Sequence, residues 1–330
     1  MDIDQFLHIL RQKLAATQLE KVASLQRLWS GYGEISRYRV KDGKVQSVIL
    51  KHIQLSHHDT PAHPRGWNTD TSHRRKITSY QIESAWYQLW SRHCNVDCRV
   101  PVCYAIEQSH TEIWIALEDL DGAGYPVRKQ SVTRQEVDLC LKWLAHFHAT
   151  FMGKRPTQLW PQGTYWHLAT RPDELEALAD IPLKQAARAI DRQLEATRFK
   201  TFVHGDAKLA NFCFSVDGSS AAAVDFQYVG GGCGMKDVAY FVGSCLDASS
   251  SQNEEATILN TYFGALKIAL ERQAIAIDFH ALEADWRSLY PCAWTDFHRF
   301  LKGWSPRHWK IHSYSEQMAK TVIEQLTTNP

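Results

Sequence analysis

Apolar residues recur at helical spacing near the start of the chain. Phe6, Leu7, Leu10 and Leu14 line one side of a charged segment, which predicts an amphipathic helix within Met1–Lys21. The period then shortens. Residues 24–29, 35–40 and 45–53 read as three strands. Gly31-Tyr32-Gly33 separates the first two, and Lys41-Asp42-Gly43-Lys44 separates the next pair. Helical spacing returns over 82–94, where Trp86, Tyr87, Leu89 and Trp90 form the buried face and Glu83 falls in the first turn. A hairpin follows, 102–108 with 111–117, and then a strongly apolar helix over 137–151. Residues 211–215 and 221–226 read as strands around the turn Asp217-Gly218-Ser219-Ser220. Helical patterns over 238–246, 254–272, 279–301 and 313–326 fill most of the rest. A small sheet-bearing first part and a mainly helical second part define an α+β chain.

Composition narrows the classes. The 330 residues suffice for two parts with separate cores. Lys plus Arg number 37 against 36 Asp plus Glu, a balance that argues against nucleic acid or an anionic membrane as main partner. No apolar run approaches the roughly 18 residues of a membrane span, and Met1–Lys21 lacks the uninterrupted apolar core of a signal peptide. Eight scattered cysteines fit reduced thiols and a cytoplasmic protein. Cys94, Cys98 and Cys103, with His93 and His110, invite a zinc reading, but their spacing matches no paired C-x-x-C knuckle. The polar stretch 54–76 carries His57, His58, His63, Arg65, His73, Arg74 and Arg75 with two prolines. It reads as a solvated insertion or a basic lid.

The densest chemistry lies in His204-Gly205-Asp206-Ala207-Lys208-Leu209-Ala210-Asn211, with Asp225-Phe226 beginning 14 residues after Asn211. Phosphoryl transfer needs a group to accept the nucleophile's proton and hard oxygen ligands for Mg²⁺. Asp206 suits the first role; Asn211 and Asp225 suit the second. The hairpin turn near Gly218 would place those two ligands opposite each other.

This H-G-D-x-x-x-x-N…D-F core resembles that of the aminoglycoside phosphotransferase and choline kinase-like superfamily, nearest to its ecdysteroid kinase-like members. The resemblance spans roughly residues 31–246. It implies a protein kinase-like two-lobe fold, with a nucleotide lobe over 1–118 and a catalytic and acceptor lobe over 119–330. It also implies ATP and Mg²⁺ as cofactors. Gly31, Gly33 and Ser36 would belong to the turn over the nucleotide phosphates. Lys51, ending a V-I-L-K run, would hold the phosphates and be held by Glu83. Without the resemblance, Lys51 reads as a solvated strand residue and Glu83 as a residue favoured near a helix start. Glu118 and Leu120, in E-D-L, would contact the adenine through the backbone. Lys208 stands where many ecdysteroid kinase-like proteins have Trp; by likeness to protein kinases it would reach the transferred phosphate. Gln227 replaces the glycine of D-F-G. His146 and His148 read as packing or capping residues.

About nine residues separate Gln227 from Asp237, too few to hold a peptide, so the acceptor is expected to be a small-molecule alcohol. Asp237 reads as the cap of the next helix, and in the family such an Asp also ties back to the catalytic loop. The C-terminal helices would form the acceptor pocket, where aromatic faces suit a quaternary amine or a flat alcohol. Trp294, Asp296 and His298 are its candidates. The alternative is a pseudokinase-type module that binds nucleotide or a partner without transfer. A protein kinase stands third.

Overall fold

The computed structural model describes residues 2–28, 31–55 and 70–328. Its elements run α1 (Ile3–Leu14), β1 (Gln18–Arg27), β2 (Gly33–Lys41), β3 (Ser47–Gln54), α2 (Asp70–Ala85), β4 (Cys103–Gln108), β5 (Glu112–Glu118), α3 (Arg134–Thr150), α4 (Pro172–Glu176), α5 (Ile181–Ala196), β6 (Thr201–Val203), β7 (Phe212–Phe214), β8 (Ala221–Ala223), β9 (Gly230–Gly232), α6 (Met235–Cys245), α7 (Ala248–Arg272), α8 (Phe279–Trp304) and α9 (Ser313–Thr328). Contacts divide them into two units. One comprises Met1–Asn95, Arg99–Val127 and Cys213–Gln227; the other comprises Val96–Cys98, Arg128–Phe212 and Tyr228–Pro330. The chain has the α+β, protein kinase-like organisation expected of it: an antiparallel sheet with one long helix, then a mainly helical part.

In the first unit the strand order is β1-β2-β3-β5-β4. Successive side chains alternate between sheet faces. Val48 and Leu50 of β3 therefore join Phe6, Leu10 and Leu14 of α1, with Tyr38, Val40 and Trp114, in one core. Lys51 falls on the opposite face. It lies in the central strand, opposite Ile35 on β2 and Ile115 on β5, so ladders on both sides fix its position. Gly33 begins β2 with φ +131°, and a Cβ there would stand 2.0 Å from the His52 carbonyl oxygen. That approach requires glycine.

The second unit packs α3 against α7, and α8 against α5, α6 and α9. Its β6 pairs antiparallel with β9, Thr201 facing Gly232 and Val203 facing Gly230. The glycine run is thus a strand pressed between neighbours. A Cβ at Gly230 would meet the Trp160 carbonyl oxygen at 2.3 Å.

Several expected boundaries move. The first helix ends at Leu14 because Ala15 adopts a left-handed cap, φ 52°. β1 begins at Gln18 rather than 24: it is an edge strand, exposed at most positions, with irregular register at Lys21/Ala23 and Ser24/Gln26, so no clean alternation marks it. The helix expected over 82–94 begins at Asp70 and passes into a π-helical turn, Trp86–Trp90. Glu83 therefore lies in the last α-helical turn, not the first, and no helix start supports its charge. The earlier turns carry mostly polar residues, and their buried positions begin only at Ser79, which hides them from a periodicity reading. Of the polar stretch 54–76, residues 70–76 are helical, and His57, His58, His63 and Arg65 lie outside the described residues. Among the described residues no helix is long and apolar enough to cross a membrane.

Candidate active site

Two constellations emerge, one in each unit. In the first unit, Lys51 Nζ donates to Glu83 Oε2 at 2.6 Å, both side chains buried. Burial pushes the Glu83 carboxyl up, Lys51 pulls it down, and the Asp225 charge adds to the rise. The upward direction stands because both partners are withdrawn from water. Asp225 itself has φ 70° and accepts at Oδ1 from Gln227 Nε2 at 2.6 Å. Gln227 Oε1 in turn accepts from Lys76 Nζ at 2.9 Å and Ser79 Oγ at 3.2 Å. Phe226 stacks on Trp86 at 4.5 Å. Gln227, in the glycine place of D-F-G, thus fastens Asp225-Phe226-Gln227 to α2.

Gly31 and Gly33 both have positive φ, and Ser36 is buried in β2. The Glu118 carboxylate accepts from Arg99 Nη2 at 2.5 Å and from the Val102 amide at 3.0 Å. Leu120 is buried with Cys213 and Ala222, and its carbonyl accepts from the Tyr125 amide at 2.8 Å.

The second constellation centres on Asp206, 6% exposed. Its Oδ1 accepts from the Tyr240 hydroxyl at 3.0 Å. Its Oδ2 accepts from Lys208 Nζ at 2.8 Å and Asn211 Nδ2 at 3.1 Å. Asn211 Nδ2 also reaches the Asp206 carbonyl at 2.7 Å. The loop is clamped from behind. Asp237 accepts from the His204 amide at 2.5 Å and the Gly205 amide at 2.9 Å, and lies 3.2 Å from His148 Nε2. His148 Nδ1 is 2.7 Å from the Tyr262 hydroxyl. Asp237 therefore sits in the first turn of α6, while Gly234 takes the cap position expected for it. Its carboxylate serves loop amides instead.

Gly205 has φ +80°, and a Cβ there would stand 2.1 Å from the Tyr228 carbonyl oxygen. Gly205→Ala is expected to destabilise the protein by about 3 kcal/mol or more, combining left-handed strain with a backbone clash. Urea unfolding measures this; a loss below about 1 kcal/mol would mean that the loop relaxes freely.

The three residues expected at an acceptor pocket lie in the packed interior. Trp294 is 1% exposed against Tyr314 and Gly243. Asp296 accepts from Arg299 Nη2 at 2.9 Å and Trp166 Nε1 at 3.0 Å. Burial raises its carboxyl, but Arg299 and Lys236 outweigh this and hold it low. Burial pushes His298 down to about 4, with Nε2 3.4 Å from Glu316. Asp296 faces Lys236, Trp166 and Arg299, whereas Asp206 faces Tyr240, Lys208 and Asn211. Sequence reasoning missed Tyr240 and Lys310. Tyr240 could have been found as the residue three after Asp237, nearly one helical turn along α6. Lys310 lies in a stretch between helices with no pattern to mark it. Among the described residues the eight cysteines form no disulfide. Among the described residues no group of three or more His, Cys, Asp or Glu side chains could hold a metal ion.

A family model described as "Phosphotransferase enzyme family" matches residues 24–284. The chain belongs to that family of phosphotransferases. No curated protein sequence matches it. Among solved structures it is similar to a microcompartment-associated aminopropanol kinase, at 15% identity over 99% of this chain and 94% of that chain, TM-score 0.48. It is also similar to an aminoglycoside-3'-phosphotransferase of type VIII, at 17% identity over 87% and 97%, TM-score 0.44. A choline kinase from Cryptosporidium parvum Iowa II gives 9% identity over 99% and 95%, TM-score 0.48.

Proposed function

We propose that this phosphotransferase moves the γ-phosphoryl group of ATP to the hydroxyl of a small molecule, with Asp206 as the base. The observation that carries the proposal is the convergence on one buried carboxylate of the Tyr240 hydroxyl, the Lys208 ammonium and the Asn211 amide. These donors aim Asp206, and Asp237 fixes its loop. Position matters more than basicity, because the alcohol's proton is lost late, as the new P–O bond forms. The acceptor oxygen bonds to the γ-phosphorus, the bond to the ADP oxygen breaks, and the proton passes to Asp206.

Lys51, held by Glu83, and the turn at Gly31, Gly33 and Ser36 bind the nucleotide phosphates in this reading. Glu118 and Leu120 lie on the segment that meets the adenine. Lys208 carries positive charge towards the transferred phosphate. Asn211 and Asp225 would supply oxygen ligands to Mg²⁺. The donor set fits: Asn211 commits its nitrogen to Asp206, leaving its amide oxygen for a cation, and Asp225 brings a half-buried carboxylate. Mg²⁺, when bound, neutralises charge on the phosphates. A broad panel of alcohols, read as acceptor-dependent ADP release, tests the proposal. Release with at least one alcohol is expected. Binding of Mg·ATP without release across the panel would favour a module that transfers nothing.

A further inference from the structure

Lys310 is 9% exposed, and its ammonium lies over aromatic faces: 4.7 Å from the Tyr240 ring centroid, 5.5 Å from Trp309 and 5.6 Å from Phe297. Among the described residues no acceptor hydrogen-bonds this Nζ, which keeps contact with solvent, so its donors are available to water or to a bound anion. An ammonium held on aromatic faces at the edge of solvent gains a charge-assisted bond when an anion takes up its donors. Tyr240 links it to the reaction centre, since the same side chain gives its hydroxyl to Asp206 Oδ1 at 3.0 Å. Burial lowers the Lys310 amine to about 8, with Asp206 opposing that shift, so at neutral pH it remains a cation. The aromatic faces that would suit a quaternary amine therefore already carry the chain's own ammonium.

We infer that the acceptor is an anionic alcohol, a hydroxycarboxylate whose acid group pairs with the Lys310 ammonium while its hydroxyl meets Asp206. This rests on the phosphotransfer reading for the hydroxyl's role, but not for the binding of the acid group. Tyr240 and Phe297 support the Lys310 side chain from the packed interior, and Lys310 selects the acceptor's charge. A cationic acceptor such as choline would face like charge at the same place.

The test uses hydroxycarboxylates of graded chain length, each matched with its primary amide and with a trimethylammonium alcohol of equal length. Binding is measured by calorimetry and transfer by ADP release, on the full chain and on Lys310→Met and Lys310→Arg. One or more carboxylates should exceed their amides by roughly 10–100-fold in affinity, the range of one hydrogen bond to a charged group. Lys310→Met should erase the ratio, and Lys310→Arg should keep most of it. Thermal unfolding verifies that Lys310→Met folds, and the wild-type ratio is informative without it. A wild-type preference for trimethylammonium alcohols, absence of binding by every carboxylate, or an unchanged ratio in folded Lys310→Met overturns the inference. Carboxylate binding without ADP release contradicts the proposed transfer and leaves this inference standing. Transfer without charge preference does the reverse.

Discussion

Asp206→Asn is expected to lower acceptor-dependent ADP release by roughly 10²–10⁴-fold while Mg·ATP affinity stays near wild type. The substitution nearly preserves size but removes the proton acceptor. It also turns an amide nitrogen towards one of the donors that converge on the carboxylate, so a modest loss of stability should accompany it. Tyr240→Phe provides the comparison. It deletes one donor and leaves the carboxylate, so turnover should fall far less, through looser aim. Calorimetric ATP binding and steady-state ADP release separate the two effects. Wild-type turnover in Asp206→Asn would remove Asp206 from the chemistry.

Lys51→Met should destabilise the first unit by about 3–5 kcal/mol, because it leaves the Glu83 carboxyl buried without its partner. The double change Lys51→Met with Glu83→Leu should recover most of that stability, since apolar replacement of a buried pair is often neutral or stabilising. Nucleotide binding should be weak in both. A double variant that is stable yet binds Mg·ATP as tightly as wild type would make the pair purely structural. pH adds a second readout. The Glu83 carboxyl is already raised in the fold, and loss of Lys51 raises it further. A folded-state value above the unfolded one means that the folded protein holds the extra proton. Stability is then fully present below the unfolded carboxyl range near 4 and declines as pH rises through the folded-state value. The single variant should lose stability on going from acid to neutral pH, and the double variant should not show that slope. Denaturant midpoints across that range decide it.

Much of this architecture is legible in the chain because it rests on local rules. The strand order around two turns follows from alternation and glycine placement. The same alternation puts Lys51 on the face away from the core of Val48 and Leu50. The helix that carries Glu83 was legible only in its apolar end. Its first turns hold mostly half-buried polar residues, so no apolar period marks them, and Glu83 emerges one helix length from its expected place. β1 escapes for the same reason, being an edge strand with little to bury. Residue types in the His204–Asn211 loop announced phosphoryl chemistry, but not which neighbours aim them. Tyr240 and Asp237 come from α6, and their contacts with the loop depend on tertiary packing. Lys310 comes from a segment without period, so no one-dimensional pattern could link it to Tyr240. The aromatic residues of α8 show the converse, a pattern that left packing undecided. Trp294 had the right composition for a pocket, but helical packing directs it into the interior, and Asp296 belongs to Arg299 and Trp166.

Phosphorus NMR on a mixture of the full chain, Mg·ATP and an accepted alcohol tests the central claim most directly. A new phosphomonoester resonance should grow as the γ-phosphate of ATP declines, with wild-type protein and not with Asp206→Asn. Inorganic phosphate as the only new species, or an ester formed equally by the variant, would contradict it.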